Sequence, residues 1–486
     1  MGDEVKLSAL IDHGSHPHYD VDIEGLASDS RLIKNNFVFF ALSGSKARGN
    51  DFIKEAVQRG ASVIVGEEPP PADLPKSVIY LVHGDARLAL AIAASRFYPR
   101  QPKTIVGVTG TAGKSSVADF TRQIFSKSGY RAASLGTIGI TREDRIDYGA
   151  LTTPDPVSLH ETLQILHDEG ITHLAMEASS HGLDQKRLDG VRLSAAAFTN
   201  LGHDHLDYHG TREAYLQAKL RLFDPLLPKG SPAVINADCE DAARIIEKAH
   251  QHGLEIISVG RAGQSITLRS AKRVAFDQIL SLDHAGQNYA VKLPLVGEFQ
   301  ISNALVAAGL ALSTGVKAHD VFDALPSLRG VKGRLERVGI YNEGLIIIDY
   351  AHKPDALKAV LETMRPFAEG RLMCVFGCGG DRDKEKRALM GAISHRYADI
   401  TIVTDDNPRS EDAENIRRSI LDAAPGARDI GDRAEAIQTA IAMLKKGDVL
   451  VIAGKGHETG QIIGNKTIPF SDHDVVEAYL RKGARV

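Results

Sequence analysis

Short runs of β-branched and aromatic residues alternate with helix-period patterns along nearly all of this 486-residue sequence. Parallel strands need a crossover of a dozen or more residues, usually a helix, so such alternation is the signature of an α/β fold. A chain this long exceeds one ordinary core, and the runs fall into three blocks. The first holds strand-like stretches at 37–40, 63–65 and 78–82, with a proline patch (Pro69, Pro70, Pro71, Pro75) that reads as a surface loop, and ends near Tyr98-Pro99-Arg100. The second opens with a strand at 104–108 and adds strands at 172–176, 194–198, 233–236 and 256–259. Residues 265–295 then alternate as antiparallel hairpins do, and a helix follows from about 301 to 313. The third begins near Gly333, with strands at 345–348, 372–376, 400–403 and 449–452. Each of these four runs into a loop of Gly, Asp, Asn or His, which predicts a binding edge at the carboxyl ends of a parallel sheet.

Charge narrows the partners. With 58 Lys and Arg against 62 Asp and Glu, the net charge is −4, which argues against a nucleic-acid or membrane-surface binder. Three cysteines (Cys239, Cys374, Cys378) are too few for a disulfide framework and are expected to be reduced, as in a cytoplasmic enzyme. Met1-Gly2-Asp3-Glu4 begins no basic-then-apolar leader, and eighteen apolar residues never run together, so neither a signal peptide nor a membrane span is expected.

The chemistry begins at Gly107-Val-Thr-Gly-Thr-Ala-Gly-Lys-Ser115, between a predicted strand and a predicted helix. Backbone N–H groups of such a loop and the helix N-terminus cradle phosphate oxygens. Lys114 would neutralise phosphate charge and Ser115 would ligate Mg²⁺. Five residues separate Gly107 from Gly113, one more than the strict motif allows, but the shorter Gly110-Thr-Ala-Gly-Lys-Ser fits a variant loop. Glu177 ends a predicted strand, where an acid commonly completes a Mg²⁺ shell, though a solvent salt bridge explains a strand-end Glu as well. The string His203-Asp204-His205-Leu-Asp207-Tyr-His209 resembles a two-zinc hydrolase motif but is one residue out of register; His205 assisting an oxygen-ligated Mg²⁺ fits better beside a phosphate loop. Lys219 lies on a helical stretch, 213–223, and by its residues alone reads as a snorkelling surface lysine.

To these add Asp29-Ser30-Arg31, Gly136-Thr-Ile-Gly139, Thr152-Thr153-Pro154, Gly333-Arg334, Asp349-Tyr-Ala-His352, Gly379-Gly-Asp-Arg-Asp-Lys384, Asp406-Asn-Pro-Arg409 and Gly454-Lys-Gly-His-Glu458. In this order, over essentially the whole length, the chain resembles the Mur ligases, and within them the members that add the third residue of the peptidoglycan stem. The resemblance implies a small α/β N-terminal domain for the UDP end of the substrate (1–100). It implies a central P-loop-type, mostly parallel ATPase domain (101–331) and a Rossmann-like C-terminal domain that selects the amino acid (332–486). Gly110, Thr111, Gly113, Lys114, Ser115, Ser116, Asn303, Arg334 and Asp349 would contact ATP. Ser115, Glu177, His205 and a carbamylated Lys219 would serve Mg²⁺, with Lys114, Lys219 and His205 the catalytic set. Carbamylation turns a cation into an oxygen-donor anion, which a hard metal prefers. Ser30, Thr152, Thr153, Ser179, Gln185 and Arg187 would hold UDP-MurNAc-L-Ala-D-Glu. Two loop positions depart from the family's usual residues, Ala112 for Asn and Ser115 for Thr, and both changes should be tolerated.

The implied reaction phosphorylates the D-glutamate γ-carboxylate with ATP, and an amino group then displaces phosphate from the acyl phosphate. Asp406-Asn-Pro-Arg409 is the version of that loop associated in the family with meso-2,6-diaminopimelate, whose far end carries a carboxylate that lysine lacks. Arg409 can bind that carboxylate in a bidentate fork. Arg382, Asp406, Asn407, Gly454 and Glu458 complete the implied set. The alternative within the family is L-lysine as the added residue; a folylpolyglutamate synthetase would share the phosphate loop but not need Asp-Asn-Pro-Arg. A two-zinc hydrolase and a catalytically silent nucleotide binder are the readings from other classes. A cytoplasmic bacterial monomer acting on small molecules is expected.

Overall fold

In the computed structural model, residues 5–12, 21–44, 48–149, 151–202 and 204–483 are described. Met1–Glu4, where no leader was expected, and His203 of the histidine string lie outside them. The chain folds as three α/β domains, each around its own mostly parallel sheet. By internal contacts it separates into two compact units, Met1–Leu268 with Ser302–Ala324, and Arg269–Ile301 with Leu325–Val486.

The first unit holds two large sheets besides the short pair Val5–Lys6 with Asp22–Ile23. The N-terminal one has four parallel strands in sequence order, Gly25–Ala27, Phe37–Phe40, Ala61–Gly66 and Ile79–Val82. Three of these match the predicted runs; Gly25–Ala27 is too short and too weakly β-branched to show in the sequence. Asp85 then caps helix Ala86–Phe97 by accepting from Leu88 N at 3.0 Å, and this helix packs on helix Pro156–Asp168. The second helix starts where Asp155 caps it and Pro156 presets its first turn.

In the central sheet, strand Thr104–Thr109 lies between His173–Glu177 and Ala195–Phe198, parallel to both. Its interior residues are fully buried, as expected of a strand covered on both faces. The chain first builds outward on one side, through Ala132–Gly136 and back to His173–Glu177. It then crosses to the other side, through Ala195–Phe198, Pro232–Asn236 and Glu255–Gly260. Thr104–Thr109 is therefore the point where the winding reverses, and in open α/β sheets a ligand crevice opens there beyond the strand ends.

The second unit contains the antiparallel hairpin Asp277–His284 with Gln287–Leu293, as the alternation predicted, and a six-stranded sheet. That sheet runs Glu336–Tyr341, Gly344–Asp349, Val449–Ala453, Leu372–Phe376, Ile400–Val403, Arg428–Asp429. All four predicted strands are there; the first edge strand is antiparallel to its neighbour. Leu345, Ile347, Leu372, Val449 and Val451 are fully buried, each contributing about 1.5–3 kcal/mol of apolar burial. No helix among the described residues is long and apolar enough to cross a membrane.

Candidate active site

Register brings three strand ends together at the winding reversal: Val108 pairs with Glu177, and Thr109 pairs with Phe198. Loop 110–113, the carboxylate of Glu177 and the segment Thr199–Asn200 therefore share one edge. The loop is bound tightly to that segment. Thr111 N donates to Asn200 O at 2.9 Å, Ala112 N to Asn200 Oδ1 at 2.9 Å, and Thr199 Oγ1 to Ala112 O at 2.6 Å. Gly113 has φ +85°, and a Cβ there would sit 2.3 Å from Asn303 Oδ1, so only glycine lets the loop lie against that amide. Asn303, expected at the nucleotide, is thus placed on the loop itself. Ser115 and Ser116 stand in the first turn of helix Lys114–Lys127, at the positive end of its dipole.

Lys114 Nζ donates to Gly110 O and Thr111 O, each at 2.9 Å, and Lys219 Nζ donates to Gly110 O at 2.7 Å. Lys219 is 1% exposed, which overturns its reading as a surface lysine. Its helix, Arg212–Leu220, turns Tyr215, Leu216 and Leu220 inward along with it. Burial, then the neighbouring Lys114 charge, pushes the Lys219 ammonium down to about 6, with Asp204 opposing. Burial also lowers Lys114, with Glu177 and Asp204 opposing. Glu177 is no solvent salt bridge: it is 3% exposed and accepts from Thr137 N at 2.8 Å and Thr137 Oγ1 at 3.2 Å.

Five of the residues expected at the UDP-muramoyl dipeptide are linked next to this edge. Thr152 Oγ1 lies 3.1 Å from Thr137 Oγ1, and Ser179 N donates to Thr153 Oγ1 at 3.1 Å. Arg187 donates to Thr153 O and Gln185 Oε1, both at 2.7 Å. Ser30, the sixth, is buried in the N-terminal domain, its hydroxyl donating to Glu55 at 2.7 Å. His205 sits in left-handed backbone, exposed, with its ring 4.7 Å from that of His181. Among the described residues no three His, Cys, Asp or Glu side chains are placed to share a metal.

In the second unit the carboxyl ends of Gly344–Asp349, Val449–Ala453, Leu372–Phe376 and Ile400–Val403 border a cleft of about 500 Å³. Arg382, Asp406, Asn407, Arg409, Gly454 and Glu458, the whole set expected at the amino acid, line it. Arg409 has φ +52° and is pinned by backbone bonds to Ile462 and Gly464, while its Nη1 donates to Gly380 O at 2.9 Å. A Cβ on Gly379 would come within 2.8 Å of that Nη1, so the glycine leaves room for the guanidinium. Burial raises Asp406 above the ordinary carboxylate range, with Arg433 and Lys455 opposing. Asp349 is raised by burial too, although it accepts from Leu335 N and Ala351 N at 2.7 Å each. The Arg334 guanidinium stacks 4.9 Å from the Tyr350 ring centre. Thr137, Asn200 and Lys455 had no expected role, although Thr137 and Lys455 lie inside the motifs at 136–139 and 454–458; their signal was position within a motif, not residue type.

Three family models match in succession: the Mur ligase family catalytic domain over residues 22–98, the Mur ligase middle domain over 108–311, and the Mur ligase glutamate ligase domain over 333–456. The UDP-N-acetylmuramoyl-L-alanyl-D-glutamate--2,6-diaminopimelate ligase of Rhizobium meliloti (strain 1021) is 56% identical over 461 residues, 95% of this chain and 94% of that protein. The protein of that name from Agrobacterium fabrum (strain C58) is 55% identical over 461 residues, with the same coverage, 95% and 94%. A solved structure of a UDP-N-acetylmuramoyl-L-alanyl-D-glutamate--2,6-diaminopimelate ligase is 31% identical, covers 99% of this chain and 100% of that one, and has a TM-score of 0.74. With a phosphate loop at the winding reversal and a cleft in the last domain, over a length matched end to end, this chain belongs to the Mur ligase family.

Proposed function

We propose that this chain is an ATP-dependent, ADP-forming ligase that joins meso-2,6-diaminopimelate to the D-glutamate γ-carboxylate of UDP-MurNAc-L-Ala-D-Glu. The observation that carries the amino-acid choice is the convergence of Arg382, Asp406, Asn407, Arg409, Gly454 and Glu458 on one cleft. Arg409 supplies a fork for the distal carboxylate and Glu458 an acceptor for the distal ammonium. L-Lysine offers no distal carboxylate to Arg409, and a site built for a charged group that the wrong substrate lacks is what rejects it.

A carboxylate is too poor an electrophile for an amine, so its oxygen first takes the γ-phosphoryl group of ATP and ADP leaves. The incoming amine then adds to the acyl carbon, its nitrogen gives up a proton to solvent, and phosphate departs with the C–O bond electrons. The chain's share is positioning and charge compensation. Gly110, Thr111 and Gly113 present backbone to the phosphates, Lys114 offsets their charge, and Ser116, Asn303, Arg334 and Asp349 hold the rest of the nucleotide. Ser30, Thr152, Thr153, Ser179, Gln185 and Arg187 hold the muramoyl dipeptide. The oxygen donors Ser115 and Glu177 suit a hard divalent cation, and with His205 and Lys219 they would hold Mg²⁺, which supplies charge neutralisation at the transferred phosphoryl group. Lys219 can join them only as an anion. A lysine brought down to about 6 is largely neutral at pH 7, and its free amine adds CO₂, losing one proton to give a carbamate. The division of labour follows 1–100, 101–331 and 332–486, in a monomer of the bacterial cytoplasm.

Phosphate release from ATP with Mg²⁺ and UDP-MurNAc-L-Ala-D-Glu tests the reading. Release that depends on meso-diaminopimelate, with a tripeptide product by mass, supports it. Release driven equally by L-lysine would remove the specificity, and no release with either would remove the ligase.

A further inference from the structure

Lys455 has no part in the chemistry above, yet its surroundings are unusual for a lysine. It is fully buried, and its ammonium carries three N–H donors. Three acceptors meet them: Gly460 O at 2.7 Å, Asn407 Oδ1 at 3.0 Å and Glu458 Oε2 at 3.3 Å. A buried ammonium is costly unless so matched, and here every donor is used within the protein.

The consequence falls on two residues of the cleft. Asn407 Oδ1 accepts from Lys455 and also from Ile462 N at 3.0 Å. A flipped amide would set an NH₂ group against both donors, so its orientation is locked and Nδ2 must face the other way, where it donates to Glu458 Oε2 at 3.1 Å. Glu458 Oε2 therefore takes two protein donors, while Oε1 takes none among the described residues. Without the lysine only Ile462 N would hold the amide oxygen, and the carboxylate would lose the cation that fixes which oxygen points inward.

We propose that Lys455 is a positioning residue: it locks the Asn407 amide and one oxygen of Glu458, so that the cleft reads the far, zwitterionic end of the incoming amino acid. The inference rests on the amino-acid reading of this cleft. It assigns Lys455 no contact with substrate.

Steady-state kinetics on the full chain test it, with ATP and UDP-MurNAc-L-Ala-D-Glu saturating and the amino acid varied. The probes are meso-diaminopimelate and 2-aminopimelate, which keeps the distal carboxylate and lacks the distal amine. In Lys455→Met, KM for meso-diaminopimelate is expected to rise roughly ten- to a hundredfold, the cost of a charged hydrogen bond, with kcat and the KM for ATP little changed. The preference over 2-aminopimelate should narrow, and propylamine added to Lys455→Ala should restore the lower KM. A merely structural lysine would instead lower kcat through lost folded protein, with KM and preference intact, and that result overturns the proposal. Should Lys455→Met not fold, Asn407→Asp decides. It keeps the acceptor that Lys455 and Ile462 use but sets a carboxylate oxygen, in place of the Nδ2 donor, against Glu458 Oε2, so the same KM rise and narrowed preference are expected, and an unchanged KM overturns the proposal. Wild-type turnover with meso-diaminopimelate is the control: its absence sinks the amino-acid reading, whereas normal wild-type turnover with unaffected variants sinks only the role of Lys455.

Discussion

At the phosphate loop, Lys114 and Lys219 turn their ammonium groups to one shared acceptor, the carbonyl of Gly110. In the C-terminal domain, the buried cations Arg433 and Lys455 each face a carboxylate, Asp472 at 2.7 Å and Glu458 at 3.3 Å. Burial lowers both lysines, and a neutral carbonyl cannot restore their charge as a bound anion would. The C-terminal cations are compensated before any ligand arrives, and they act as framework. One region holds lysines whose charge burial disfavours until a ligand arrives; the other uses compensated charge for shape.

Breaking the framework should have the largest effect. Arg433 and Asp472 are both fully buried, joined by two bonds of 2.7 Å, and Arg433 also donates to Ala453 O at 3.0 Å. Arg433→Met leaves Asp472 charged and alone, and should cost about 3–5 kcal/mol of unfolding free energy by urea titration. The double variant Arg433→Met/Asp472→Leu should recover most of that loss, because no stranded charge remains. A single variant as stable as wild type would show that the pair is not the framework claimed.

At the loop the comparison predicts the opposite division between stability and activity. Lys219→Met should reduce turnover on the order of a hundred- to a thousandfold, as loss of a group acting on developing charge typically does. Yet it should raise Tm by a few degrees near neutral pH. The folded state holds Lys219 at about 6 against an ordinary 10.5, so the wild type loses stability as pH falls from 10.5 towards 6, and the deficit is complete below that. The Tm gain of the variant should therefore be largest at and below pH 6 and vanish above 10.5. Wild-type turnover should fall as pH drops through about 6, where the free amine is protonated. A variant less stable than wild type at pH 7 would mean that the lysine is compensated after all.

The amino-acid end of the cleft gives the next effect. Arg409→Ala should raise KM for meso-diaminopimelate by roughly thirtyfold or more, since the charged partner of its distal carboxylate is lost, and leave the KM for ATP unchanged. Arg409→Lys keeps the charge without the fork and should recover little.

How far these regions could be read in advance differs in the same way. The loop, the strand-end Glu177 and the four C-terminal strands were legible because phosphate cradles and parallel sheets need local glycine, short side chains and β-branched runs. Strands such as Gly25–Ala27 and Ala132–Gly136 were not, since their small residues are strand-forming only where neighbours cover them. Lys219 reads as a surface residue by local pattern and is buried, because the helix carrying it is turned inward by long-range packing on the loop. Lys455 was hidden for a related reason: its three acceptors come from residues 407, 458 and 460, and only the fold brings the first to the others.

The smallest effect sharpens the contrast between neutral and charged support. Among the described residues the Glu177 carboxylate takes hydrogen bonds only from Thr137, one backbone N–H and one hydroxyl, both neutral. Glu458 has a cation as well as an amide. Thr137→Val keeps the backbone bond and removes the hydroxyl, a neutral contact worth about 0.5–1.5 kcal/mol. Turnover titrated with Mg²⁺ should then show a rise in the half-saturating concentration of roughly two- to tenfold, with saturated kcat and the KM for meso-diaminopimelate unmoved. A shift as large as that of Lys455→Met on its own substrate would mean that neutral donors orient a carboxylate as firmly as a buried ammonium does, and the contrast between the two regions would lose its physical basis.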